Sequence, residues 1–423
     1  MGIIQQATAF VQGLFALLKR GYCKCPYCGS TLTKKNGTYK RPVRDVGGIR
    51  PIVMQRHFCH ACRRTWTDQV PEVAPHKWYA RRVNRKSLDL YMIGASLRSC
   101  ADWITAEITG RGRTFHWDVL ARLPWWGRAP EPEPEIVVSH TTIWRWLQNA
   151  GQKCRQRQDL YKEVPQSGLV VSDAAYVRIR GVKTAILGIV DGVYRTIFGL
   201  CPLKTEESGE EIERAFNRAE RAGLNLEWIK VFTSDGGGGF REFLARCLPG
   251  VLHQRCIFHL WRNVLPIIAR YATEKGKLWA AALQLSIAAV WNAGNRAEAE
   301  VALRLLVAVF ATEAIAREAV YIVQETFEQA ITYLTAGLAN VGRTSNPCEW
   351  LWRYYKVRVE AMGGFMSQSG CDNFNAAWET YLNFRRYQRR KERKRQYAHI
   401  GKCPLEVAGV MVQGVTWLDA LEV

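Results

Sequence analysis

Two periods of hydrophobic and polar positions run along this chain, and the switches between them mark its parts. Between Gly168 and Cys256 short apolar runs dominate. Gly168-Leu169-Val170-Val171-Ser172-Asp173 reads as a buried strand ending in an acid. Lys183 to Val190 and Val193 to Leu200 read as two more strands, joined at Asp191-Gly192, a hairpin turn signature. Glu206 to Ala222 has the pattern of a charged amphipathic helix. Trp228 to Phe232 is a short apolar run that stops at Ser234-Asp235 and opens into the glycines 236 to 239. A helix near Phe240 to Cys247 and a strand from Gly250 to Cys256 close this stretch. The helical period rules elsewhere. Residues 266 to 340 carry Ala-rich apolar stripes and no strand pattern. Ser87 to Ile93, Ser96 to Ile104 and Ser139 to Leu147 are three helical pieces, the last with Ser139 as its N-cap. Ile3 to Leu18 has apolar residues three or four apart and no basic leader or small-residue cleavage site, so it reads as an amphipathic helix and not a signal peptide.

Cysteine changes the picture near the amino terminus. Cys25-Pro26-Tyr27-Cys28 is answered by Cys59-His60-Ala61-Cys62 around a strand-rich stretch, Thr31 to Phe58. Four thiolates so spaced suit a structural, tetrahedral zinc ion, and the stretch between them is too small to hold a core unaided. Cys23, His57 and His60 are spare donors, any of which could replace a ligand. The thirteen cysteines are otherwise scattered singly, which suits a reducing cytoplasm and not a disulfide framework. No run reaches membrane-spanning length.

Charge narrows the partner. A net charge of +21 on a chain with sixteen Trp and sixteen Tyr implies a folded protein that meets a polyanion, nucleic acid first. The third helical piece presents His140, Thr141, Thr142 and Arg145 near its start, as a recognition helix does in a major groove. Gly94 to Arg98 and then Val138 to Ile143 are similar to the helix-turn-helix of many transposases and resolvases, with a Trp- and Pro-rich insert, residues 110–135, where a tight turn is expected. Arg385 to Arg395 is a basic run suited to phosphates or to a solvated helix end.

The acids acquire a geometry from strand order. Three strands in meander, a helix, a strand, a helix and a strand is the order of a ribonuclease-H-like fold, in which the fourth strand pairs beside the first. Asp173 and Asp235 would then stand side by side. Adjacent carboxylates repel unless a cation neutralises them, and an oxygen donor pair of this kind suits a two-metal phosphoryl-transfer site with magnesium. A third acid is expected on a helix. Glu349 in Arg343-Thr344-Ser345-Asn346-Pro347-Cys348-Glu349-Trp350 is the candidate, although Asn346 as N-cap, Pro347 at the first helical position and Glu349 at the third would equally make a capping box.

Asp173, Ser234-Asp235-Gly236, Gln254 to His259, Arg262-Asn263, Thr344 to Glu349, Arg358 and Gly364 to Ser367, in that order, resemble the Mutator-type DDE transposases of bacterial insertion sequences and their eukaryotic relatives, over about residues 167 to 385. The resemblance implies a catalytic triad of Asp173, Asp235 and Glu349 binding Mg2+ or Mn2+, and a helical insertion before the glutamate. It also implies a Cys-x-x-His element, Cys256 and His259, beside the active site, with Trp261 as a base-stacking or a core residue. Arg353, Lys356 and Arg358 are expected at DNA.

The expected fold class is α/β multidomain: a ribonuclease-H-like mixed sheet core with an all-helical insertion, preceded by a zinc ribbon and a helical helix-turn-helix region. The expected parts are the amino-terminal helix (1–22), the zinc ribbon (23–76), the helix-turn-helix region (77–152), the catalytic domain (167–265 and 341–385), the insertion (266–340) and a basic tail (386–423). The expected activity is metal-dependent cleavage and strand transfer on DNA bearing terminal inverted repeats, by a homodimer in the synaptic complex, in a cytoplasmic, nucleoid-associated protein with no membrane partner. A transposase-derived DNA-binding regulator and a ribonuclease-H-like nuclease are the alternatives. The four-glycine run and the zinc ribbon depart from the family pattern.

Overall fold

A computed structural model describes residues 23–73, 77–109, 138–157, 161–204, 207–335, 337–338, 340–388 and 399–421. The expected amino-terminal helix, the 110–135 insert and the basic run from residue 389 onward lie outside the described residues. The chain divides into two compact units between Trp144 and Arg145.

In the first unit β1 (Thr33–Asp45) and β2 (Gly48–Cys59) form an antiparallel hairpin, paired from Thr33 against Cys59 to Asp45 against Gly48 with one register shift between Lys35 and Thr38. A short β3 (Thr65–Thr67) pairs with β2. Few hairpin side chains are buried, so the sheet has little core of its own. Burial alone would raise the Asp45 carboxyl, but Arg82 and Arg50 at its two oxygens hold it below its usual range. Helix α1 (Arg81–Ile93) stops at Gly94, whose φ of 136° needs glycine. Helix α2 (Leu97–Thr109) is capped by Ser96, whose hydroxyl accepts from Ser99 N–H at 3.0 Å. Helix α3 (His140–Gln156), which runs through the division and has most of its residues in the second unit, starts as expected at Ser139, whose hydroxyl accepts from Thr142 N–H at 3.2 Å.

The second unit is built on a mixed sheet of β4 (Leu169–Ile179), β5 (Val182–Asp191), β6 (Ile197–Pro202), β7 (Val231–Ser234) and β8 (Leu252–Arg255), in the order β6-β5-β4-β7-β8. The first three are antiparallel neighbours; β7 is parallel to β4, and β8 to β7. Three local expectations are corrected. The β5–β6 turn is not two residues: β6 starts at Ile197, and the Asp191 carboxylate accepts from the amides of Val193 and Tyr194, folding a longer loop. The strand expected at Trp228 starts at Val231, because residues 226–228 form a 3-10 turn capped by Asn225. Asp173 lies mid-strand rather than at a strand end, since β4 runs on to Ile179.

Strand alternation sorts the two faces. Val170, Leu187, Ile189 and Phe232 point into a core with Phe216 of α4 (Gly209–Ala222) and Phe240 and Phe243 of α5 (Gly238–Cys247). Cys403, Leu405 and Ala408 join this core, so the end of the chain is not merely a basic tail. The other face carries Val171, Asp173 and Gly188. A separate helical core forms from α6 (Ile257–Lys275), α7 (Lys277–Trp291), α8 (Arg296–Phe310) and α9 (Ala314–Glu325) around Leu260, Leu283, Trp291 and Val320. Gln254 fastens its end to β8, donating to the Ala330 carbonyl and accepting from Tyr333 N–H. After it come α10 (Asn346–Met362) and α11 (Gln368–Phe384).

Candidate active site and thiol cluster

Register brings the first two acids together. Val171 pairs with Thr233 across the parallel β4–β7 ladder, so Asp173 on β4 and Asp235 just past the end of β7 come next along chains that run side by side at the usual strand spacing of about 4.8 Å. Both fall on the face opposite the phenylalanine core by alternation. Asp235 follows the last residue of β7, and its Oδ1 accepts from Gly237 N–H at 2.9 Å. The Asp173 carboxyl is pushed above its ordinary range, first by burial and then by the Asp235 charge, with His259 opposing.

Gly188, directly across β5 from Asp173, lets α10 come down on this face: a Cβ there would lie 2.9 Å from Trp352 and 3.1 Å from Leu351. Cys348 Sγ, in the first turn of α10, reaches to 3.5 Å from the Val171 carbonyl. Glu349 is the next residue, and Trp352, one turn on along the same helix face, lies beside Asp173. The buried Trp352 indole nitrogen nevertheless closes no hydrogen bond of normal geometry. The capping box does not form. The N-cap is Ser345 and not Asn346, it makes no side-chain cap bond, and Glu349 is exposed beyond the third position. Among the described residues the three carboxylates do not gather within 4.8 Å of one another, as two cysteine-containing groups do.

Cys256 and His259 stand at this site through the start of α6. Cys256 is its N-cap, and Ser345, the N-cap of α10, donates its N–H to Cys256 Sγ at 3.3 Å. Two helix N-termini therefore converge beside the acids, each carrying partial positive charge. His259 is held above its ordinary pKa, first by its hydrogen bond to Cys256, with burial opposing and Asp173 and Asp235 adding. Trp261 turns away: its ring packs edge-on to Trp291 in the helical core, centroids 4.9 Å apart.

The sequence reading missed Arg255 and Trp352. Arg255 donates to the Asp235 carbonyl at 3.0 Å, and Gly236, at φ 77°, is the one residue type that leaves room for it, since a Cβ there would lie 2.3 Å from Nε. Position was the available signal: Arg255 adjoins Cys256, and Trp352 is three residues past Glu349. Two of the four glycines, Gly236 and Gly239, thus serve close packing, while a Cβ on Gly238 would meet nothing within 4 Å. A Cβ on Gly239 would lie 1.9 Å from the Glu207 carbonyl oxygen.

The candidate DNA contacts divide. His140, Thr141 and Arg145 are exposed, Thr142 is half-buried, and Arg353 and Lys356 are exposed on α10. Arg358 is buried at 7 % exposure, so it does not share their surface.

In the first unit Cys25, Cys28, Cys59 and Cys62 form one cluster. Cys25 and Cys62 Sγ are 3.6 Å apart, and Cys28 and Cys59 Sγ 3.7 Å. A tetrahedron with zinc–sulfur bonds of about 2.3 Å has edges of about 3.8 Å, so the donors fit zinc; a disulfide needs about 2.05 Å. The Cys62 amide draws the Cys59 thiol down to about 7. Against the Ser30 amide, desolvation and the neighbouring thiols push Cys28 up to about 12. Thiols this crowded do not all ionise without a cation. His60 is exposed and belongs to neither cysteine group.

No helix among the described residues is long and apolar enough to cross a membrane. A protein-family model described as Transposase, Mutator family matches residues 157–389, a span that contains Asp173, Asp235, Cys256, His259 and Glu349 and leaves out the thiol cluster. No curated protein matches the sequence.

Proposed function

The chain belongs to the Mutator family of transposases, and we propose that it cleaves DNA at terminal inverted repeats and joins the freed ends to a target, with Asp173, Asp235 and Glu349 as the catalytic acids of a ribonuclease-H-like core. One observation carries the reading: Asp173 on β4 and Asp235 just past the end of the adjacent, parallel β7 lie side by side, and the first turn of α10 bears a glutamate that no capping box uses. The strand order, with an antiparallel meander continued by parallel β7 and β8, supports the fold assignment.

The site fits hard divalent cations. Its acids supply only oxygen donors, and burial with mutual repulsion already raises Asp173. Magnesium or manganese bound there would supply Lewis-acid activation of the attacking and leaving oxygens. The protein's own groups do the rest. Asp173 and Asp235 fix negative charge on a rigid sheet. The converging N-termini of α6 and α10 give the face partial positive charge that suits a phosphate backbone, and the neighbouring acids favour the charged form of His259. No side-chain nucleophile is required.

The first unit and α3 are proposed to hold the terminal repeats, with His140, Thr141 and Arg145 toward base edges and Arg353 and Lys356 of α10 toward backbone. The net charge of +21 supports tight, salt-dependent binding. The partner is duplex DNA, and a homodimer would pair two ends. The test is incubation of purified protein with Mg2+ or Mn2+ and duplexes that carry the repeats. Nicking at the repeat ends followed by strand joining supports the reading. Binding without nicking points to a regulator, and nicking without joining to a nuclease.

A further inference from the structure

Two residues before each cysteine pair stands another donor. Cys23 precedes Cys25, and His57 precedes Cys59 on the same face of β2. Neither is drawn into the four-thiol cluster. Instead Cys23 Sγ, a His57 ring nitrogen and an Asp68 oxygen lie within 4.8 Å of one another. His57 Nε2 is 2.8 Å from Asp68 Oδ1, yet this buried nitrogen has no hydrogen bond of proper geometry. The histidine side chain is 7 % exposed and Asp68 48 % exposed. So a deeply buried ring nitrogen points into a group of donors that does not satisfy it as an ordinary ion pair would.

We infer that Cys23, His57 and Asp68 form a second zinc site beside the four-thiol site. Thiolate, imidazole and carboxylate are all zinc ligands, and three protein donors with one position left to water make a complete tetrahedral site. With bonds of about 2.1 Å, nitrogen and oxygen on zinc stand about 3.4 Å apart, so the His57–Asp68 pair needs only to spread slightly around an ion. The charges also balance. A four-thiolate zinc carries a net charge of −2, whereas Zn2+ with one thiolate, one carboxylate and a neutral imidazole is neutral and adds no repulsion next to it. The supports are present. The His57 ring stacks on Trp66, centroids 5.1 Å apart and planes 13° from parallel. The Cys23 carbonyl accepts from Thr33 Oγ1 at 2.7 Å. Such outer partners hold ligands in orientation. The ion would clip three separate pieces, the segment before the first knuckle, β2 and the residue after β3, on a hairpin with little core.

Cobalt(II) titration of the full, metal-free protein tests this. Four thiolates on cobalt give intense sulfur-to-metal bands; one thiolate gives a weak band with tetrahedral d–d absorption. With Mg2+ in excess to fill the carboxylate site, wild type is expected to take two cobalt equivalents that carry sulfur-to-metal bands, and protein loaded with zinc under the same conditions two zinc per chain. Cys23→Ser, Asp68→Asn and His57→Gln should each lose the second equivalent and keep the four-thiolate spectrum, which also certifies that the module is folded. Cys62→Ser should disturb the intense band instead. One equivalent in wild type, or two in all three variants, would overturn the inference and leave His57 and Asp68 as an ion pair only.

Discussion

The thiol module and the acid-bearing sheet solve opposite problems. In the hairpin of β1 and β2 few side chains are buried, and the donors come from two short knuckles close in sequence. There the metal would hold the structure. In the second unit a core of Phe216, Phe232, Phe240 and Phe243 holds the sheet without help, and the acids come from strands and a helix far apart in sequence. There the structure would hold the metal. Removing a donor should therefore unfold the first region and silence the second, and that contrast can be broken experimentally.

The largest effect is expected at the acids. Asp173→Asn, Asp235→Asn and Glu349→Gln should each lower Mg2+-dependent cleavage by orders of magnitude, non-additively, with unchanged thermal unfolding. The geometry sharpens the Glu349 case: with Ser345 as N-cap there is no capping box to lose. An active Glu349→Gln protein would move the third ligand elsewhere. Of the next candidates, Glu328 already holds Arg296 through both oxygens, which leaves Glu325.

The thiol module should answer in stability. Cys25→Ser, Cys62→Ser or a strong chelator should melt the first unit by several kcal/mol and abolish binding to terminal repeats, while the second unit keeps its own unfolding transition. Hydrogen exchange resolved by segment would read both at once. Protection lost throughout the sheet of the second unit, or retained in β1 and β2, would erase the contrast.

The two regions were also legible to different degrees. Four cysteines in two knuckles announce their site by spacing alone. Asp173 and Asp235 were legible through strand order, because apolar runs fix which strands are buried; that β4 continues past the acid was not, since Ala174 to Ile179 mixes polar and apolar residues. Glu349 was findable only by its block, because a helix start with Pro347 looks the same with or without catalysis. Asp68 escaped because a lone acid after a short strand carries no pattern. The length of the β5–β6 loop was hidden because Asp191-Gly192 reads as a tight turn, while the Asp191 carboxylate stabilises a longer one.

A smaller effect should show how the sheet positions the acids. Gly188→Ala places a methyl 2.9 Å from the Trp352 ring, which is packed and cannot swing aside. Overpacking of this kind costs about 1–3 kcal/mol. Lifting α10 should also slow cleavage about tenfold or more, since misplacement by about 1 Å can cost about a hundredfold. Loss of stability with full cleavage activity would mean that the approach of α10 does not set the site.

The smallest effect concerns whether the acids and His259 act as one electrostatic unit. The hydrogen bond to Cys256 raises His259 above its ordinary value of 6.5, burial opposes, and Asp173 and Asp235 add to the rise. A raised histidine stabilises the fold fully below about 6.5, and that contribution is lost as pH rises through its higher folded value. The half-exposed ring keeps that contribution small, because solvent screens it. The direct measurement is an NMR titration of the imidazole in metal-free protein. Its midpoint should lie above 6.5 and fall in Asp173→Asn and in Asp235→Asn, and added Mg2+ should lower it too, because a cation between the acids cancels the charge that the ring feels. In the first unit the same substitutions should change no histidine midpoint. A His259 midpoint at or below 6.5, or one indifferent to both substitutions, would mean that the acids do not share a field, and the sheet would then be a scaffold carrying separate groups instead of a site.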